Sequence, residues 1–189
     1  MDKEIEIRIL NIDKEKFIKN IIELGAKKDS ESLQKRYVYD FNPVAPNKWI
    51  RLRTNDKKTT LTIKEILDKN AIDGTNELEI VVSDFEKTNL ILKELGYKHR
   101  NYQENYREIY SFNGVEISID TWPLIPTYVE LEAKKEEDIK SLLELIDYEK
   151  ENLTTLDVTS IYNDIYGIDI MSIKELKFDN EIVNKKLTK

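Results

Sequence analysis

Met1-Asp-Lys-Glu-Ile-Glu-Ile-Arg-Ile-Leu10 opens the chain, and its alternation decides the fold. Glu4, Glu6 and Arg8 are interleaved with Ile5, Ile7 and Ile9. A two-residue period describes a strand with one charged and one apolar face. Such a charged face ordinarily looks to water. Two features argue for an interior use here. Like charges two residues apart repel unless a cation lies between them. The same alternation also returns in several later strands.

Working outward, Asp13 can cap a helix in which Phe17, Ile18, Ile21, Ile22 and Leu24 follow at helical spacing, with Gly25 to end it. Gln34 to Asp40 reads as a strand with Tyr37 and Tyr39 on one face, and residues 42–47 as a loop. Trp49 to Arg53 alternates again, Arg51 and Arg53 against Ile50 and Leu52. Its hairpin partner, residues 59–64, sets Thr60, Thr62 and Lys64 against Leu61 and Ile63. After the polar loop 68–76 the opening pattern repeats. Glu77-Leu-Glu-Ile-Val81 resembles Glu4 to Arg8, and Asp84 can cap a helix through Leu90, Ile91 and Leu95 to Gly96. The Leu24-Gly25 and Leu95-Gly96 pairs lie equally far beyond their capping aspartates. This predicts two related halves, about 1–66 and 77–133, each strand–helix–strand–strand–strand.

The second half continues with Tyr106 to Tyr110, the hairpin turn Asn113-Gly114, and a strand to Asp120 with Glu116 and Ser118 on the same face. Trp122-Pro-Leu-Ile-Pro126 is a rigid connection to the last alternating strand, where Glu130 and Glu132 share a face. Helices are predicted over 136–146 and 157–166. A helical part, 134–170, thus completes a single domain of residues 1–170, followed by a polar tail, 171–189.

The net charge of −7 argues against a general DNA or anionic-membrane binder. With no Cys there is no thiolate nucleophile, and with His99 the one histidine there is no multi-His metal site. His99 itself is given no role. No segment reaches the roughly 18 apolar residues of a membrane span, and the acidic start is unlike a signal peptide. The expectation is a cytoplasmic protein, a monomer or homodimer.

Collected by face, the anions are Glu4, Glu6, Asp120, Glu130 and Glu132, and the cations Arg8, Arg51, Arg53, Lys64 and Arg107. On an open sheet each exposed pair contributes little, about 0–1 kcal/mol. A closed barrel of about eight strands can instead turn the charged faces into its bore and the apolar faces outward under helices. Unpaired buried charge is expensive, so such a bore calls for a ligand of matching charge. Mixed cations and carboxylates point to a polyanion with divalent cations, Mg²⁺ or Mn²⁺. The expected fold class is α+β, a closed antiparallel barrel with helices outside.

These residues resemble the signatures of the CYTH domains, the triphosphate tunnel metalloenzymes. Glu4-x-Glu6-x-Arg8 is similar to the family's Glu-x-Glu-x-Lys, Arg51-Leu-Arg53 to its Arg-x-Arg strand, and Lys64 to the Lys of the next strand. Arg107-x-x-Tyr110, Asp120 and Glu130-x-Glu132 resemble its later positions, so the likeness runs from about Met1 to Tyr166. The resemblance implies a tunnel that takes a triphosphate: tripolyphosphate, ATP or another organic triphosphate. It assigns metal binding to Glu4, Glu6, Asp120, Glu130 and Glu132, and phosphate binding to Arg8, Arg51, Arg53, Lys64 and Arg107. Catalysis would rest on Glu4, Glu6, Arg8 and Lys64.

Hydrolysis of the triphosphate is the expected reaction. The alternatives are a class IV adenylate cyclase making cyclic AMP and pyrophosphate from ATP, and a non-catalytic polyphosphate- or nucleotide-binding module. Three positions depart from the family pattern. Arg8 replaces a Lys, Asn105 stands where a Lys is usual, with Arg100 a potential substitute, and Trp122 to Pro126 replaces a Leu-Gly-x-Phe approach found in cyclase-like members.

Overall fold

The computed structural model describes residues 1–178. The tail expected over 171–189 therefore lies mostly outside the described residues. Its first part forms a 3₁₀ turn at Ile170–Ser172 and a short strand, rather than a simple fraying end.

The opening stretch makes two strands, β1 (Asp2–Glu4) and β2 (Glu6–Ile9), interrupted at Ile5. Helix α1 (Lys14–Glu23) leads to the long β3 (Lys27–Asp40), then the hairpin β4 (Lys48–Thr54) and β5 (Thr59–Ile66). The sequence of elements repeats with β6 (Thr75–Val82), α2 (Phe85–Glu94), β7 (His99–Phe112), β8 (Val115–Thr121) and β9 (Tyr128–Ala133). The chain ends in α3 (Glu136–Leu143), β10 (Leu153–Thr154), α4 (Val158–Ser160, prolonged by a wider turn to Ile165) and β11 (Glu175–Leu176).

The helix starts follow from their caps. Asp13 accepts from the Lys16 amide at 3.0 Å and Asp84 from the Lys87 amide at 2.8 Å. Each helix stops just before a glycine of positive φ, Gly25 at +102° and Gly96 at +91°, a conformation that costs other residues a steric penalty.

The strands form one curled, almost wholly antiparallel sheet in the order β1-β6-β5-β4-β3-β7-β8-β9-β2-β10, with β11 parallel to β7. Near both ends of this path stand the two parts of the opening stretch. β1 pairs with β6 and β2 with β9. At the break, Ile5 C=O accepts from the Ala133 amide at 3.1 Å, and the Glu6 amide donates to Ile72 C=O at 3.0 Å. β3 and β7, 14 residues each, pair along most of their length. The fold class is α+β.

Apolar faces lie outward beneath helices. Ile117, Ile119, Val129 and Leu131 are buried with Phe17 and Ile21 of α1 and Ile139 and Leu142 of α3. Ile50, Leu52 and Tyr39 are buried with Leu92 of α2. A third cluster, Trp122, Ile125, Tyr128, Ile161 and Tyr162, joins the rigid connection to the C-terminal elements. The charged faces occupy the concave side.

Candidate active site

A cavity of 690 Å³ lies on the concave side of the sheet. Strand alternation supplies its walls, because every second residue of each strand points inward. Glu4, Glu6, Arg8, Arg51, Arg53, Lys64, Arg107, Glu130 and Glu132, all predicted from sequence, line it. A larger hollow, 810 Å³, opens on the outer side near Tyr37, Phe85 and His99. Of the residues weighed from sequence as phosphate or metal ligands only Arg100 lines it, and Arg100 also lines the inner cavity.

One wall is a lattice of ion pairs. Arg8 Nη2 lies 2.6 Å from Glu130 Oε2 and 3.0 Å from Glu6 Oε1, and its Nη1 donates to Leu156 C=O. The pairing registers explain this, since Arg8 is directly opposite Glu130. Glu130, though burial alone would raise its pKa, is held well below the usual carboxylate range by Arg8 and Arg107. Arg107 Nη2 reaches Asp120 Oδ2 at 2.5 Å and Glu130 Oε1 at 3.1 Å.

Lys64 Nζ sits 2.7 Å from both oxygens of Glu4 and 3.0 Å from Glu77. Burial pushes the Glu4 carboxyl up to about 8 against the pull of Lys64, with Glu77 and Glu6 adding to the rise. Glu77 moves the other way, down to about 2; burial opposes that shift and Lys64 drives it.

Beside this lattice runs a row of like charges. Glu132 is directly opposite Glu6 on one side and Glu116 on the other. Burial, then Glu130, Glu116 and Glu6, push the Glu132 carboxyl up to about 7. A line of carboxylates on adjacent strands is unfavourable without a cation. Their hard oxygens suit Mg²⁺ or Mn²⁺. Among the described residues no three such side chains converge as a ready metal site; the acidic groups turn toward the cavity's own cations.

The opposite wall is cationic. Arg51 lies 3.5 Å from Glu77 and 3.6 Å from Glu79, and Arg53 3.9 Å from Glu79, all long contacts. The neighbouring Arg51 charge, then burial and Arg107, lower the Arg53 pKa to about 10. Glu77 and Glu79, the echo of the opening motif, line the cavity as partners of these cations.

Asp120 does not line the cavity, though it shares Arg107 Nη2 with Glu130. It is fully buried and bonds Arg107 Nε at 2.9 Å and Asn105 Nδ2 at 2.5 Å, behind the wall. Its strand parity matches that of Glu116 and Ser118, and it stands directly opposite Tyr128, which is buried in one cluster with Trp122. Arg100 lines the cavity but is tied to Asp40 at 2.5 Å. The guanidinium bonded to Asn105 Oδ1 is instead Arg36, which the sequence reading left out. Arg36 alternates with the outward Tyr37 and Tyr39, and that parity could have marked it as inward.

A CYTH-domain family model matches residues 2–161. The chain belongs to the CYTH family. A Methanocaldococcus jannaschii protein named "Putative adenylate cyclase" is 27% identical over 161 residues, covering 82% of this chain and 90% of that protein. A conserved hypothetical protein from Pyrococcus furiosus superposes with a TM-score of 0.70 at 26% identity, covering 82% of this CYTH chain and 97% of the other. A Hippeastrum protein, described as an adenylyl cyclase candidate with a dominant triphosphatase activity, shares the fold at a TM-score of 0.57 and 16% identity. It covers 89% of this chain and 97% of its own.

Proposed function

We propose that this CYTH protein is a divalent-metal-dependent triphosphatase acting on a triphosphate held inside a closed strand barrel. The observation that carries this is one cavity with under-neutralised guanidiniums on one wall and a crowded carboxylate row on another. Closure is supported by the two parts of the opening stretch, which pair with strands from opposite ends of the sheet. The two-half organisation, about 1–66 and 77–133, is supported by the strand order. The strand of each half that precedes its helix pairs with the last strand of the other, β6 with β5 and β2 with β9.

In this reading Arg51, Arg53, Lys64, Arg8 and Arg107 hold phosphate oxygens, fix the chain for in-line attack and neutralise charge on the leaving phosphate. Glu4, Glu6, Glu130 and Glu132 would hold the cation. Asp120, grouped with them on sequence, serves as the anchor of Arg107. A bound Mg²⁺ or Mn²⁺ would polarise the phosphoryl group and lower the pKa of a water molecule. No histidine base is required.

A second reading is a substrate with an organic group, ATP cyclisation included. It is favoured by Trp49, which shares a strand face with Arg51 and Arg53 and lines the cavity beside Pro46 and Asn47. Hydrolysis is preferred because Trp122 offers no open face for a base. It is buried, with Arg36 4.5 Å from its ring and Tyr162 against its edge.

Incubation with Mg²⁺ or Mn²⁺ should release orthophosphate from tripolyphosphate, and tripolyphosphate should compete with ATP at least as well as GTP does. Cyclic AMP and pyrophosphate as the main products from ATP, unaffected by tripolyphosphate, would establish the cyclase instead. Absence of both reactions, with binding retained, would establish the non-catalytic module.

A further inference from the structure

We infer that Arg36 is a phosphate-binding residue of this cavity, a cation seat that no family signature assigns in this chain. The inference rests on the triphosphate reading above and extends it to a named residue. Arg36 projects from β3 into the cavity and is only 6% exposed. It stands directly opposite Arg53 on β4 and Gln103 on β7. Among the described residues no carboxylate lies within ion-pair distance of it. Its side-chain acceptor is the neutral Asn105 Oδ1, and its buried Nε has no protein acceptor.

The other inward cations differ. Arg8, Lys64 and Arg107 each have a carboxylate within 3.0 Å, and Arg51 and Arg53 share Glu79 at longer range. Burial, then Arg53, Arg51 and Arg107, hold the Arg36 pKa well below that of an ordinary guanidinium, while Asp120 opposes this weakly. A cation buried among cations carries a large cost. An anion entering the cavity removes it.

A purely structural role must also be considered, because the Arg36 guanidinium lies over the Trp122 ring at 4.5 Å. Cation–π attraction offsets only part of the penalty for a buried ion without a counter-charge. The stack fixes the direction of the guanidinium and leaves its charge uncompensated. Asn105 holds it from the side: its Oδ1 accepts from Arg36 while its Nδ2 donates to Asp120. A lysine at 105 would place an ammonium against the Arg36 guanidinium. The two positions are therefore coupled, with the charge on β3 and a neutral amide on β7.

The test is thermal protection by tripolyphosphate in EDTA, which needs no turnover. Arg36→Gln keeps a planar head for Trp122 and an amide for Asn105 while removing the charge. The ligand-free variant should melt at or above the wild-type temperature, because a buried unpaired charge is gone. Its half-maximal tripolyphosphate concentration should rise at least tenfold. Arg36→Lys should fall between, at least threefold weaker than wild type, because a point charge replaces a planar fork.

Protection of Arg36→Gln within twofold of wild type would overturn the inference, as would a lowered ligand-free melting temperature with unchanged protection. If Arg36→Gln does not fold, Arg36→Lys decides, and protection equal to wild type overturns the inference. Arg51→Gln separates the two levels of argument. If wild type is protected and Arg51→Gln is not, the triphosphate reading stands whatever Arg36 does. If wild type is not protected at all, both readings fail.

Discussion

At the residue scale, the cavity is a problem of charge compensation, and Glu132 reports it best. Its carboxyl is pushed up to about 7 by burial and by Glu130, Glu116 and Glu6, against about 4.3 in an unfolded chain. Between those values the native state keeps a proton that the unfolded chain has released, so stability falls as pH rises through this window. Glu4, pushed up to about 8, acts in the same direction. Glu77, at about 2, acts oppositely, and its contribution is lost only as the solution is acidified below the unfolded value. The melting temperature of the metal-free protein is expected to decline from pH 5 to pH 7.5. Glu132→Gln should flatten that decline by removing one of its two sources, leaving the contribution of Glu4. An equally steep profile in the variant would contradict the placement of Glu132 beside three other carboxylates. Alternation alone placed the Glu4-x-Glu6-x-Arg8, Arg51-x-Arg53 and Glu130-x-Glu132 sets correctly, because each set is a period-two repeat of like chemistry. Arg36 is a single cation on its face, between Gln34 and Val38 at period two, and has no such repeat. Asp120 has the expected parity, but its pairing with Arg107 and Asn105 depends on neighbouring strands that its own strand does not announce.

At the element scale, the helices stand outside the chemistry and contribute stability. Asp13 caps α1, whose Phe17 and Ile21 cover the outer face of the sheet. Loss of a side-chain cap costs about 1 kcal/mol. Asp13→Ala should therefore lower stability by about that amount in urea unfolding, with the KM for tripolyphosphate unchanged. A several-fold change in KM would show that α1 reaches the cavity. Strand and helix starts were readable because aspartate caps, Gly25 and Gly96, and the Asn113-Gly114 turn are local signals. The break at Ile5 was not, because it comes from two distant partners. β1 follows β6 while β2 follows β9, and no residue in the stretch announces the change. The C-terminal segment was read as helix over 157–166 and forms α4 with its wider turn. The β10 pairing with β2, which puts Leu153 opposite Ile9, carries no periodic signal in two residues.

At the scale of the whole molecule, a chain of net charge −7 builds a cavity whose Arg51 and Arg53 have only long contacts to anions and whose Glu132 and Glu116 stand side by side without an ion pair among the described residues. The sequence showed which residues share a strand face. It could not show that the faces of β3, β4 and β5 look across at those of β2, β8 and β9, because that depends on how the sheet curls. The most direct test is a crystal grown with tripolyphosphate and Mn²⁺, with the metal located by its anomalous signal. The account predicts Mn²⁺ among Glu4, Glu6, Glu130 and Glu132, with phosphate oxygens on Arg51, Arg53 and Lys64. Tripolyphosphate bound in the outer hollow beside Tyr37 and His99, or Mn²⁺ outside the carboxylate row, would contradict it.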